Sequence, residues 1–157
     1  MTRPRPTLIL FAAVSALAVG ALAPRAAHAQ AKGRIYVSDV EFGAYSSEKE
    51  MAQAIKKQAK TTIKEEGGTW PLNLMVFLNA APGAAKINIV YYDLSKKNEQ
   101  VDFAEVGVKP DQKIVLLNGQ AASKEKGFVK GHRYDIRATR LIGGKEKVYA
   151  KATITLK

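Results

Sequence analysis

The spacing of apolar residues changes regime several times along the chain. From Arg34 to Phe42 (RIYVSDVEF), Tyr36, Ser38, Val40 and Phe42 share one face and Ile35 and Val37 the other, which predicts a strand. Between Ser47 and Glu66 the period lengthens. Met51, Ile55, Ala59 and Ile63 recur every fourth residue, while Lys49, Lys56, Lys60 and Lys64 gather on another face. This predicts an amphipathic helix over 47–66. Ser47 and Glu50 stand at capping-box spacing at its start, and Gly67-Gly68 ends it.

From Thr69 onward the period is two. Trp70, Leu72, Leu74, Val76 and Leu78 alternate, with Met75 and Phe77 between them, so the strand over 69–78 is central and covered on both faces. After the Pro82-Gly83 corner, strands are predicted over 87–94, 101–108 and 113–117. A slip in parity between Phe103 and Val106 implies a bulge near Ala104, and 118–126 reads as a loop. The last two strands cover 132–142 and 146–156, with Tyr134, Ile136, Ala138 and Ile142 inward on one and Val148, Ala150, Ala152, Ile154 and Leu156 inward on the other. Keeping both apolar sets on one face requires Ile142 to pair with Glu146 across a three-residue loop, Gly143 to Lys145. The count is seven strands, with one helix after the first.

Ahead of this domain, Leu8–Ala23 runs sixteen residues without a charge, behind Arg3 and Arg5. A spanning helix needs about twenty residues, whereas the apolar core of an export signal needs about 7 to 15. Pro24 and Arg25 stop the run, and Ala27-His28-Ala29 offers a small-x-small site. Residues 1–29 are therefore expected to be a cleaved signal peptide of bacterial type, with Ala31 the next candidate cleavage point. Residues 30–157 then form one domain, periplasmic or secreted, with no transmembrane segment after cleavage.

Composition narrows the chemistry. The 157-residue chain has 25 Lys plus Arg, 14 Asp plus Glu and no cysteine. Thiolate nucleophiles, thiolate zinc sites and disulfides are excluded. Without Arg3, Arg5 and Arg25 the balance is 22 basic against 14 acidic residues, and the excess lies almost wholly beyond Ser123.

The segment Phe128-Val129-Lys130-Gly131-His132-Arg133-Tyr134 opens the penultimate strand with an apolar residue six positions before a tyrosine. It resembles the tyrosine corner of fibronectin type III and other immunoglobulin-like β-sandwiches. The resemblance implies a mainly β fold, a seven-stranded antiparallel immunoglobulin-like sandwich with one helix inserted after the first strand. Tyr134 is then its structural corner residue. The helix after the first strand also fits a cystatin-like α+β meander, and that alternative stays open.

The motifs of catalysis are missing. No G-x-S-x-G, phosphate loop or dinucleotide fingerprint occurs. His132 is the one histidine after residue 29, and Asp135 falls on the opposite strand face, so His132 reads as a half-exposed corner residue. The acidic pairs Asp39/Glu41 and Asp93/Asp102 lack a calcium-loop pattern. The chain is read as no enzyme, with no cofactor and no metal site. On the last hairpin, Arg133, Arg137, Thr139, Lys147, Tyr149, Lys151 and Lys157 are predicted to face outward. Arg133, Arg137, Lys147, Tyr149, Lys151 and Lys157 are the candidate polyanion-binding set, and the same lysines also protect a terminal strand against edge pairing.

Two functions follow as expectations. One is an exported, non-catalytic module of the bacterial cell envelope, structural or protein-binding, with an envelope protein as partner. The other is a polyanion-binding protein taking lipopolysaccharide, acidic polysaccharide or extracellular DNA, without reading nucleic-acid sequence. A small inhibitor or hydrolase on the cystatin-like scaffold is the weaker alternative.

Overall fold

The computed structural model describes residues 32–157, and the export segment read over 1–29 lies outside the described residues. The elements are β1 (Arg34–Ser38), α1 (Glu48–Gln58), β2 (Thr62–Ile63), β3 (Thr69–Phe77), β4 (Lys86–Asp93), β5 (Glu99–Gly107), β6 (Ile114–Ser123), β7 (Arg133–Ile142) and β8 (Lys145–Leu156). Short 3-10 turns follow β4 and β6 at Leu94–Lys96 and Lys124–Lys126.

The strands form one curled sheet in the order β5-β4-β7-β8-β1-β3-β6, with β2 attached to β8. It is mixed rather than purely antiparallel, because β1 and β2 both run parallel to β8. Curling brings its two halves face to face over a single core. Trp70, Leu72, Leu74 and Val76 of β3 pack there with Ile87, Ile89 and Tyr91 of β4, Tyr134 and Ile136 of β7, and Ile154 and Leu156 of β8. β3 is covered on both faces, as its sequence predicts. Its Met75 and Phe77 form a second layer with Phe42, and Tyr36, Met51 and Ile55 pack against that layer. The helix thus lies on the outside of β1-β3-β6. Among the described residues, no helix is long and apolar enough to cross a membrane.

The helix is shorter than its periodicity suggests. Ser47 caps it by accepting the Glu50 N–H at 3.2 Å, and Glu50 reaches back to Ser46. It ends at Gln58, however, and Ala59 is already extended. The β-branched run Thr61-Thr62-Ile63 loses side-chain freedom in a helix and forms β2 instead, where Ile63 is fully buried. Gly67-Gly68 therefore caps no helix. Both glycines adopt positive φ, 56° and 85°, in the two-residue turn between the bridged residues Glu66 and Thr69.

Three further strand expectations are corrected. β1 stops at Ser38, whose hydroxyl accepts the Val40 N–H at 3.0 Å, and Phe42 reaches the second layer from a loop. β6 continues through the polar stretch read as a loop, because the buried Asn73 side chain accepts the Gly119 N–H at 2.8 Å where the β3–β6 register shifts. The slip in β5 is a bulge at Val101 rather than near Ala104, since Tyr91 pairs with Asp102 and Tyr92 with Gln100. Phe103 consequently points outward and is 60% exposed.

The last hairpin resolves its parity differently from the expected three-residue loop. Ile142 pairs with Lys145 across Gly143-Gly144, both at positive φ as a tight two-residue turn requires. The register then shifts between Ala138 and Thr139, where Ala138 pairs with Ala150 and Thr139 with Val148. Tyr149 is the extra residue of this bulge. It turns inward and is buried, as is Thr139, whereas Val148 and Ile142 turn out.

Candidate functional site

Six residues of the β7–β8 hairpin carry the expected polyanion site, and the structure separates them. Tyr149 leaves the set, because its ring is buried and its hydroxyl donates to the Pro82 carbonyl at 3.3 Å. It cannot lie against a sugar or base. Arg137 is outward but engaged. Its Nε donates to Asp135 at 2.7 Å, its other end reaches Glu146 at 3.5 Å, and its guanidinium lies 4.3 Å from the centre of the Tyr92 ring. Burial works against its charge, but the bond to Asp135, with Glu146 and Tyr92, more than offsets this and raises its pKa. The local charge around Arg137 is therefore close to balanced.

Arg133, Lys147, Lys151 and Lys157 remain exposed, with no ion pair among the described residues. Lys147 leans over the Tyr149 ring at 5.0 Å. Lys147 and Lys157 are ten residues apart on one strand, roughly 33 Å at about 3.3 Å per residue. That exceeds a Debye length of about 8 Å at physiological salt. Arg133 stands on β7, Lys151 pairs with Arg137, and Lys147, beyond the bulge, pairs with Arg140, so the cations are dispersed rather than clustered.

The register shows a different arrangement across the strands. Phe103 of β5 pairs with Val90 of β4, Val90 with Arg137 of β7, Arg137 with Lys151 of β8, and Lys151 with Arg34 of β1. This row crosses the outer surface from an exposed aromatic to three cations. Tyr92 stands beside it, under Arg137. The sequence contains the members, and its slip in parity signals a bulge in β5 without locating it at Val101.

Tyr134 takes the position its sequence context implies. It is fully buried, its hydroxyl accepts the Val129 N–H at 2.7 Å, and its ring lies 5.0 Å from that of Phe128. Burial raises the pKa of the hydroxyl, the Val129 bond opposes this, and the charge of Asp93 adds to the rise.

A second polar centre sits beside it. Asp93, at the end of β4, is fully buried. One carboxylate oxygen meets His132 Nδ1 at 2.7 Å, and the other accepts the Ser95 N–H at 2.9 Å. His132 is thus a partner of Asp93 rather than a simple corner residue. Asp93 and Asp102 do not converge, since Asp102 faces Lys126 at 3.6 Å. Asp39 is paired with Lys60, while Glu41 is exposed. Among the described residues, no group of three or more His, Asp or Glu is placed to hold a metal ion. The one local sequence signal for Asp93 is Asp-Leu-Ser, a side chain able to cap the backbone two residues on.

No protein-family model matches the chain, and no curated protein or solved structure matches it.

Proposed function

We propose that this protein is an exported, non-catalytic interaction module of the bacterial cell envelope, built as an immunoglobulin-like sandwich. Two features support the fold reading. The order β5-β4-β7-β8-β1-β3-β6 sets a four-stranded half beside a three-stranded half, joined where the first and last strands run parallel. At the start of β7, Tyr134 bonds back to Val129 as a tyrosine corner does.

One observation carries the interaction role. The outer face of the four-stranded half presents Phe103, 60% exposed, in a row with Arg137, which stacks on Tyr92. Aromatic residues and arginine are the types enriched at protein interfaces and among their energetic anchors. Leu141 and Ile142 at the hairpin tip add apolar surface, at 68% and 45% exposure. A photo-crosslinking residue at position 103, in the cells that make the protein, tests the reading. A single discrete adduct is expected, lost on Arg137→Ala and absent with the crosslinker at Leu116 on the other half. Equal labelling at 103 and 116 sinks it.

The second reading, a polyanion-binding protein, draws on Arg133, Lys147, Lys151 and Lys157, which are exposed and form no ion pair among the described residues. Their wide spacing suits a long, regularly charged polymer better than a compact anion.

A further inference from the structure

We propose that Asn118 is a site of spontaneous deamidation, held in check by Asn73, whose product releases the loop and helix packed beside β6. The site lies on the three-stranded half, away from the interface read at Phe103. Asparagine is among the chemically labile residues, and the residue that follows it governs its rate. The backbone nitrogen of that residue must close a ring on the side-chain carbonyl carbon, and a side chain beside it obstructs the approach. The chain has five asparagines, and only Asn118 precedes glycine; Asn73, Asn79, Asn88 and Asn98 precede Leu74, Ala80, Ile89 and Glu99. A Cβ added at Gly119 would meet nothing within 4 Å, so the space around this nitrogen is open. β6 is also an edge strand, and Gly119 is exposed.

Both reacting groups are nevertheless held. The Gly119 N–H donates to Asn73 Oδ1 at 2.8 Å, and Asn73 is buried, its Nδ2 donating to the Ser38 carbonyl at 3.4 Å. Hydroxide must take this proton before the nitrogen attacks, and a hydrogen-bonded amide yields its proton only when the structure opens locally. The leaving group is held as well. Asn118 Nδ2 donates to the Phe42 carbonyl at 2.7 Å, while its Oδ1 accepts the Phe42 N–H at 3.1 Å. The guard stands at a break in the β3–β6 ladder, where the register shifts between Leu72 and Leu74. Here a side chain, not a backbone carbonyl, receives the amide.

The reaction needs no reagent but water. The Gly119 nitrogen bonds to Asn118 Cγ, the Cγ–Nδ2 bond breaks, and ammonia leaves with the proton lost by the amide. Water then opens the succinimide at either carbonyl, giving aspartate or isoaspartate at position 118. Neither product can keep the clamp on Phe42. An ionised carboxylate only accepts hydrogen bonds, so the Phe42 carbonyl loses its donor and faces an oxygen of like charge. Phe42 is buried in the second layer with Met75 and Phe77, against which Met51 and Ile55 pack. No residue of α1 is fully buried, so this layer is what the helix rests on.

The test follows the protein through incubation at mildly alkaline pH, with peptide mapping by mass spectrometry and isoaspartate labelled by enzymatic methylation. Conversion is expected at Asn118, with isoaspartate exceeding aspartate, and Asn73→Ala is expected to speed it at least tenfold. Equal rates in the two proteins, or no conversion at 118 in either, overturn the proposal. If Asn73→Ala unfolds the domain, the wild type in sub-denaturing urea replaces it. Conversion at 118 and hydrogen exchange of the Gly119 amide are then expected to rise together, and conversion that ignores that exchange overturns the guard. Asn118→Asp reads the consequence. The Phe42 amide is expected to exchange at least tenfold faster than in wild type, with the Ile136 amide of β7 unchanged. Unaltered exchange at Phe42 overturns the release.

Discussion

His132 Nδ1 lies 2.7 Å from the Asp93 carboxylate, across 39 positions of sequence. The contact ties the end of β4 to the entrance of β7, and Asp93 has no access to water. Removing one partner of a hydrogen bond to a buried carboxylate costs more than the bond contributes, because the other partner is left unsatisfied. His132→Ala is therefore expected to cost about 1–3 kcal/mol. Asp93→Asn, which keeps the shape and the acceptor for the Ser95 amide, should cost less. Urea unfolding of both single variants and the double variant checks this: the double is expected to be less destabilised than the sum. Strict additivity counts against the pair.

Tyr134→Phe leaves the Val129 amide without its acceptor and is expected to cost about 1 kcal/mol at neutral pH. The folded state raises the pKa of this hydroxyl above its ordinary value. Its contribution is thus complete below about pH 10, the unfolded value, and is lost as the pH rises through the folded one. The stability gap between wild type and variant should narrow in that alkaline range. A gap that is constant or widening there counts against the assignment.

Ile63 distinguishes strand from helix. Buried in the core from β2, Ile63→Ala is expected to cost about 2–5 kcal/mol. Ile55→Ala, from the partly buried stripe of α1, should cost distinctly less. Thermal or denaturant midpoints in the opposite order would place Ile63 outside the core.

For polyanions, elution from heparin is the readout. Lys147→Glu with Lys151→Glu should lower the eluting salt more than Lys56→Glu with Lys57→Glu on the helix. Tyr149→Phe should leave it unchanged, because that ring is buried. Engagement of four phosphates on duplex DNA implies a log–log salt slope of roughly −4, at about −0.9 per phosphate. Equal effects of the two charge-reversal pairs would reduce the attraction to net charge.

Where a residue's environment is set by its near neighbours, the sequence was sufficient. The alternation in 69–78 marks β3 as covered on both faces, and the Phe128–Tyr134 spacing locates a hydroxyl that does bond back to Val129. The failures fall where a distant partner decides. Ile63 fits a helical stripe equally well, and it is a strand residue because β8 offers it an edge. Tyr149 reads as outward until the β7–β8 register shifts beneath it, since one bulge reverses every face beyond it. Asp93 and His132 carry no mark of each other.

That order also sets a timetable. The last strand in the described chain order, β8, lies in the middle of the sheet between β7 and β1. Until its dozen residues are in place, both neighbouring edges are bare and the two halves have nothing to join them. Contacts between chain ends close slowly because so much loop entropy must be lost first. Folding thus passes through an open, adhesive arrangement until β8 inserts. A domain without β8 would remain there, leaving not a slightly weakened domain but two unclosed halves.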